Sequence, residues 1–290
     1  MTRVLLLGGG GQLGTVLRQL NTDWEINAPS SAALDVTDSD AVHDYVTQRP
    51  CNVVVNCAAY TRVDDAEDCR EAAVALNERS PAVLARATAT IGASFIHFST
   101  DYVFDGTGHP PYHTDAACNP LNFYGVTKRA GEVAALANNP KTSVVRTSWL
   151  HSASSANFVA RTVQRLTKGD PMRVVCDQIG TPTRCTTVAL ALQQMIKLRV
   201  PAGIYHVSDA GAASWYDLAM ATRWALSERR VLPASATVTP VAARDFPQRA
   251  LRPRVSALDC RSTWETLCMS PTSWIDGVRA TVGERLALEQ

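Results

Sequence analysis

The sequence predicts an α/β fold, a doubly wound parallel sheet joined to a smaller mixed α/β lobe. Three observations point there. Short, almost wholly apolar runs alternate with longer stretches of helical spacing over the first 150 residues, the pattern of strands covered on both faces by crossover helices. A glycine cluster at residues 8–11 follows the first apolar run directly. After about residue 150 the alternation loosens, while no internal repeat or low-complexity tract interrupts the chain.

Taken in order, residues 3–7 read as the first strand and 12–20 as the helix it feeds. Residues 24–28 form a second short strand, and 39–48 have helical spacing through Ala41, Val42, Tyr45 and Val46. Residues 52–56 are an apolar run between polar neighbours, as in a buried parallel strand. Residues 69–91 are Ala-rich and helical, with Pro81 expected to break or kink them. Residues 93–99 are the next strand. Residues 120–138 form a helix after a Gly- and Pro-rich loop, and 142–146 a further strand. In the second half 156–166, 187–198 and 215–227 read as helices, 173–175 and 204–207 as short strands, and 233–253 as mostly irregular. The expected organisation is a sheet domain over 1–150 and a second lobe over 151–290, interleaved with the sheet rather than strung after it.

The chain has 290 residues, 46% of them hydrophobic, and a net charge of +1. That is enough apolar material for a sizeable core, and the balanced charge argues against capture of nucleic acid or of an anionic membrane. No apolar run approaches the ~20 residues of a membrane span. The apolar start runs into glycines rather than a small-residue cleavage site, so no signal peptide is expected. Eight cysteines without a C-x-x-C pair, several inside apolar runs, read as buried reduced thiols of a cytoplasmic protein.

Gly8, Gly11 and Gly14 form G-x-x-G-x-x-G between the first strand and the first helix. Such a loop turns tightly, lets the backbone approach a pyrophosphate, and aims the free N–H groups of the helix start at that anion. This is the phosphate site of a Rossmann-type NAD(P) domain. An NAD-selective site places an acid at the end of the second strand to hold the ribose 2′-hydroxyl. Here that stretch is Asn27-Ala-Pro-Ser-Ser31, without an acid. Ser30 or Ser31 can bond to a 2′-phosphate, so the reading favours NADPH and leaves NADH open. Asp35 lies further on, within reach of an adenine.

Tyr124 and Lys128 stand at i and i+4, on one helix face. Seven tyrosines and four lysines would give this spacing by chance in about one such chain in ten, so its position matters. It follows an apolar strand ending at Ser99-Thr100-Asp101. A phenol is a poor acid–base catalyst at neutral pH, and a nearby ammonium draws its pKa down. The same lysine can hold a ribose. Thr100, at a strand end, can hydrogen-bond a substrate oxygen.

These residues resemble the extended short-chain dehydrogenase/reductases, and neighbouring segments narrow the resemblance to the dTDP-4-dehydrorhamnose reductase family. The segments are 11–14 (G-Q-L-G), 56–67, 99–106 (S-T-D-Y-V-F-D-G), 120–128, 146–149, 177–182 and 252–258, which span nearly the whole chain. The resemblance implies NADPH-dependent reduction of the C4 keto group of dTDP-4-dehydro-L-rhamnose to dTDP-L-rhamnose, with Thr100, Tyr124 and Lys128 as the catalytic set. It implies that Gly11, Gln12 and Leu13 line the cofactor phosphates. Asp35 and Val36 would flank the adenine, and Ala59, Tyr60 and Thr61 would follow the third strand beside the cofactor. Thr100 and Asp101 would touch the substrate, and Trp149 would pack on its sugar. Candidates for the substrate diphosphate are Arg161, Arg165, Arg173, Arg244, Arg254 and above all Arg252, whose fork suits phosphate. Asn157 and Phe158 would lie near the nucleotide. Some relatives are metal-assisted dimers with acidic side chains on the first helix. Val16 cannot ligate a cation, so no metal is expected, and monomer and homodimer both stay open.

Three rivals share the fold, one of them a sugar-nucleotide epimerase, which would recycle its bound cofactor where a reductase consumes NADPH. A 4,6-dehydratase follows its active Thr with Asp-Glu, whereas this chain has Thr100-Asp101-Tyr102. A ketoreductase for a related deoxysugar, such as a streptose-type precursor, fits the same residues. A rival of another class is a non-catalytic subunit resembling the methionine adenosyltransferase β subunit.

Overall fold

A computed structural model describes residues 1–20 and 22–289. Strand β1 (Thr2–Leu7) leads into helix α1 (Gln12–Gln19), then come β2 (Trp24–Asn27), α2 (Ser39–Gln48) and β3 (Val53–Asn56). Helices α3 (Arg70–Val74) and α4 (Ser80–Thr90) are joined by a π-helical turn, Ala75–Arg79. Next are β4 (Ser94–Thr100), α5 (Phe123–Asn138), β5 (Thr142–Thr147), β6 (Leu150–His151), α6 (Phe158–Thr167), β7 (Met172–Val175), β8 (Ile179–Gly180) and β9 (Thr183–Arg184). The chain continues with α7 (Cys185–Leu198), β10 (Gly203–His206), β11 (Ala213–Ser214), α8 (Trp215–Glu228), β12 (Val238–Val241), α9 (Arg261–Leu267) and α10 (Trp274–Leu288).

Six parallel strands make the central sheet in the order β2-β1-β3-β4-β5-β10. This is the expected doubly wound parallel sheet of Rossmann type. Successive residues of one strand point to opposite faces, and here both faces are dry. Val4, Leu6, Val53, Val55, Ile96 and Phe98 pack with Leu13 and Leu17 of α1 and Val188, Leu192 and Met195 of α7. Leu5, Leu7, Val54 and Phe95 pack on the other side with α2, α4 and α5 through Val42, Val46, Leu84 and Ala135. Each such aliphatic burial is worth about 1.5–3 kcal/mol, so the uniformly apolar strands are the main source of the sheet's stability. A third core, with Val159, Leu166, Met172, Leu218, Val278 and Val282, lies in the second half of the chain. That half also supplies β10 to the main sheet and α7 to its outer face.

Several local expectations need correction. Residues 69–91 are two α-helices around a π turn. Pro81 sits in the first turn of α4, where its missing N–H costs least, so the register adjusts just before it instead of the helix breaking at it. Residues 233–253 contain β12, which pairs with β7 in parallel. The strand holds Pro240, and β12 is the edge of a two-stranded ribbon, a place that tolerates proline. Helices α9 and α10 were not anticipated; α10 has almost no amphipathic bias because it is contacted on several sides by α6, α8 and β9. Of the eight cysteines, none of which is disulfide-bonded, only Cys185 and Cys260 are buried, and Cys69, Cys176 and Cys268 are exposed.

Helix α5 is fastened to the sheet by an ion pair inside the protein. Arg146 of β5 donates from Nε to Glu132 Oε1 and from Nη2 to Oε2, both at 2.8 Å. Arg129 adds 2.7 Å to Oε2. Arg146 is 1% and Glu132 0% exposed. Burial pushes the carboxyl upward, yet its arginine bonds win and hold it below its ordinary value. Arg146 also reaches the Thr114 carbonyl and lies over the Phe104 ring, so the 104–118 loop leans on the same guanidinium. Replacing Glu132 by Ala should cost about 3–5 kcal/mol, because a buried cation is left unpaired. Urea denaturation should show this loss, and a Glu132→Met/Arg146→Met double variant should recover most of it.

Candidate active site

The strand order reverses between β1 and β3, and beyond the carboxyl ends of β1, β3, β4 and β5 a cleft of about 1040 Å³ opens. Open α/β sheets bind ligands at such a reversal. Gly11, Gln12 and Leu13 line the cleft. Gly11 caps α1 without any side-chain hydrogen bond, so the first N–H groups of the helix are free for an anion. The loop can lie flat because Gly8 adopts φ +73°, and because a Cβ on Gly14 would stand 2.2 Å from the Gly8 carbonyl oxygen. Gln12 Oε1 is buried and lacks a partner among the described residues. A cradle of bare N–H groups and an unused amide fits the pyrophosphate of a dinucleotide.

The β4 end and the start of α5 bring Thr100, Tyr124 and Lys128 into this cleft. Asn122 starts α5 by accepting from the Gly125 N–H at 2.8 Å, which explains why the helix begins at Phe123 rather than at Pro120. Gly125 lets α5 press on the β4 end, since a Cβ there would meet the Tyr102 carbonyl oxygen at 2.2 Å. Lys128 Nζ donates to the Phe98 carbonyl at 2.5 Å. Burial lowers its pKa to about 8, against the upward pull of the Glu132 carboxylate. Burial pushes the Tyr124 phenol up to about 12, and only the Thr100 hydroxyl beside it pulls down. Lys128 is tied to the strand, and burial rather than the lysine's charge dominates the Tyr124 phenol.

Asp101 lines the cleft with both carboxyl oxygens already hydrogen-bonded. Its Oδ1 is 3.0 Å from Thr100 Oγ1, and its Oδ2 receives the Ser256 hydroxyl at 2.5 Å. On the opposite wall Trp149 stacks on Trp215, with ring centroids 3.7 Å apart and planes 7° from parallel. Trp149 has φ 45°, in the left-handed region, and its indole N–H is buried without a partner. Phe158 tilts onto Trp215. Asn157 lines the cleft with its amide spent on capping α6 and on the Ser152 and Ser155 carbonyls. Arg161, Arg165, Arg173 and Arg252 line it too, whereas Arg244 and Arg254 do not. An apolar, aromatic wall rimmed by guanidinium groups suits a base and sugar carrying phosphates.

Residues 1–286 match the family model described as the RmlD substrate binding domain. The dTDP-4-dehydrorhamnose reductase of Mycolicibacterium smegmatis is 38% identical, over 97% of this chain and 86% of that protein. The chain belongs to the dTDP-4-dehydrorhamnose reductase family. Two solved structures of such reductases superpose closely. One, from Clostridium acetobutylicum, has a TM-score of 0.91 at 32% identity and covers 99% of this chain and all of that one. The other, from Bacillus anthracis in complex with NADP, has a TM-score of 0.90 at 32% identity, covering 98% and 99%.

In this family member some expected site residues stand outside the cleft. Ala59 and Thr61 line it, while Tyr60 between them is buried and turned into a small apolar cluster. Gly8 and Gly14 shape the loop from behind. Ser30, Asp35 and Val36 lie beyond the end of β2, away from the enclosed volume; Val36 is in the core, and Asp35 accepts from the Thr37 N–H and hydroxyl. Other residues were not foreseen. Asn77, in the π turn and fully buried, pairs with both the N–H and the carbonyl of Tyr60 and with the Thr127 hydroxyl. It thus joins the loop after β3 to the helix of Tyr124. No short-range pattern marks such a residue, since its partners are 17 and 50 positions away.

Arg252 lines the cleft with its charge already matched by a carboxylate. Its guanidinium holds Asp64 in a two-point pair, Nη1 to Oδ1 at 3.0 Å and Nη2 to Oδ2 at 2.8 Å. Arg249 adds bonds to Asp65 and Asp68, and the backbone N–H groups of Arg249 and Ala250 both donate to Asp64 Oδ1 at 3.0 Å. The loop after β3 is thereby latched to the C-terminal segment beside the cleft. The Arg252 bonds hold the Asp64 carboxyl down at about 2. A depressed carboxyl contributes stability above its ordinary value of ~4 and loses it as pH falls through the folded one. Protection of the Arg249 and Ala250 amides from hydrogen exchange should accordingly persist at pH 4 and fail only toward pH 2. In Asp64→Ala it should drop about tenfold or more at pH 7.

Proposed function

We propose that the chain reduces the C4 keto group of dTDP-4-dehydro-L-rhamnose with NADPH, giving dTDP-L-rhamnose. The observation that carries this is one cleft lined at once by the α1 N-terminus, by Thr100, Tyr124 and Lys128, and by the Trp149 wall. Membership of the reductase family, and the NADP in a close structural neighbour, support the same reading. Residues 1–150 mainly hold the cofactor and 151–290 mainly the sugar nucleotide. The enzyme works in the cytoplasm as a monomer or homodimer.

Gly11, Gln12 and Leu13 would hold the pyrophosphate and Lys128 the nicotinamide ribose, with Ser30, Asp35 and Val36 along the adenosine and Ala59 and Thr61 beside it. Bound there, NADPH supplies the hydride. The chain supplies the proton and the electrostatics. Tyr124, neutral at working pH, donates its phenolic proton to the oxygen that becomes the C4 hydroxyl. Thr100 hydrogen-bonds that oxygen and so favours the developing negative charge. Trp149 and Trp215, which line the cleft as a stacked pair, would pack on the sugar ring, and Arg161 and Arg173, which make no ion pair among the described residues, are available to its phosphates.

Tyr124→Phe should lower kcat by roughly 10²–10⁴-fold while leaving NADPH affinity unchanged, as read by fluorescence titration of the cofactor. A Phe variant turning over normally would remove Tyr124 from the assignment. A panel of keto sugar nucleotides, assayed by NADPH oxidation, should show the highest kcat/KM for dTDP-4-dehydro-L-rhamnose. Preference for another deoxysugar would assign the related ketoreductase activity instead.

A further inference from the structure

Thr100 has one hydrogen and two lone pairs to distribute. One lone pair accepts the Tyr102 N–H at 3.2 Å, and Oδ1 of Asp101 lies 3.0 Å away. If Asp101 is ionised, its carboxylate can only accept, so the single Thr100 proton must point at it. Nothing is then left to donate to a substrate oxygen. If Asp101 is neutral, its own O–H can donate to the second Thr100 lone pair, and the Thr100 proton is released toward the cleft.

The surroundings favour the neutral acid. Asp101 is 2% exposed, and among the described residues no cation is bonded to it. The titratable groups that face it are the Tyr102 phenol from its own turn and the Tyr124 phenol from α5, both kept neutral by burial. Arg252, from the C-terminal segment, stands beyond Tyr102, with its charge matched by Asp64. The 256 position supplies only a hydroxyl, Ser256, itself 1% exposed. Leaving a carboxylate in such a place costs several kcal/mol.

We propose that Asp101 enters the reaction as the neutral acid, and that Ser256, Asp101 and Thr100 form one hydrogen-bonded chain that turns the Thr100 hydroxyl toward the substrate oxygen and returns a proton to Tyr124. The inference rests on the ketoreductase reading and deepens it. The balance is as follows. Reduction takes one hydride from NADPH onto C4 and one proton from Tyr124 onto the oxygen. The phenolate left behind takes the Thr100 proton, Thr100 takes the Asp101 proton, and Asp101 becomes a carboxylate stabilised by the Ser256 hydroxyl. Water reprotonates it after product leaves. Asp101 and Ser256 are positioning residues acting through Thr100. Burial accords with this, pushing the Asp101 pKa up to about 7.

The test reads Asp101 both without and with turnover. In infrared pH titrations of the cofactor-free protein, a protonated-carboxyl band missing from Asp101→Asn should disappear as pH rises through about 7. In Ser256→Ala the transition should move to higher pH, because the carboxylate has lost a donor, with an unchanged melting temperature reporting an intact fold. In steady-state assays kcat should fall along the same alkaline limb in the wild type and shift with it in Ser256→Ala. Asp101→Asn should lose the limb, with kcat down ~10-fold or more and substrate KM within about twofold. Absence of the band at pH 5, or a wild-type limb in Asp101→Asn, overturns the proposal. Failure to reduce any keto sugar nucleotide would overturn the functional reading instead, and the infrared titration would still decide the state of Asp101.

Discussion

Glu132 and Arg146 meet in the dry space between α5 and β5, and the placement of the reactive groups follows from that pair. Tyr124, Lys128 and Glu132 stand at i, i+4 and i+8 of one helix, so fixing the Glu132 end fixes the rotation of the face that carries the other two. A buried pair of this kind adds little net stability over an apolar replacement, since both charges are desolvated. Its value lies in geometry: a two-point guanidinium–carboxylate bond permits one orientation where an apolar contact would permit several. The same carboxylate also opposes the desolvation of Lys128. One interaction therefore fixes the helix, tethers the 104–118 loop and keeps the neighbouring lysine protonatable.

The second constraint is that the cleft is closed by segments far apart in sequence. The β4 end, with Thr100 and Asp101, is met by Ser256; the loop after β3 is met by Arg249 and Arg252. Both contacts join the sheet to the stretch just before α9. Because Arg252 is already in a two-point pair with Asp64, a phosphate at Arg252 would have to displace a carboxylate, whereas Arg161 and Arg173 face no such competitor. In the proposed reading, phosphate recognition would therefore lean on Arg161 of α6 and Arg173 of β7.

The sheet was legible because parallel strands covered on both faces must be apolar at every position, and residues 3–7, 52–56 and 93–99 could be little else. The glycine loop and the Tyr124–Lys128 spacing were legible for the same reason: each is a local rule, with its geometry contained in a few consecutive residues. The features that escaped are set by distant partners. Strand β12 depends on pairing with β7, and α10 depends on being packed on several sides, which erases the one-sided pattern by which helices are read. Asn77, Asp64 and Ser256 owe their roles to partners 17, 188 and 155 positions away. Arg252 lines the cleft as expected, but its pairing with Asp64 was not legible, because its fork was read without its carboxylate.

Desolvation is the common cause of the electrostatics in the cleft, and it moves three groups in one sense. Tyr124 is raised to about 12, Asp101 is raised to about 7 and Lys128 is lowered to about 8, so each is drawn toward its uncharged form. A site with few standing charges costs least to bury. In the proposed reduction, a phenol as weakly acidic as Tyr124 would give up its proton only to a strong base, such as the alkoxide formed at C4. The phenolate that results is then poorly stabilised, with Lys128 turned to the Phe98 carbonyl and only the Thr100 hydroxyl beside it. A hydrogen-bonded neighbour able to hand on a proton removes that unfavourable charge within the site. Asp101, joined to Thr100 on one side and Ser256 on the other, is the nearest acid placed to do so.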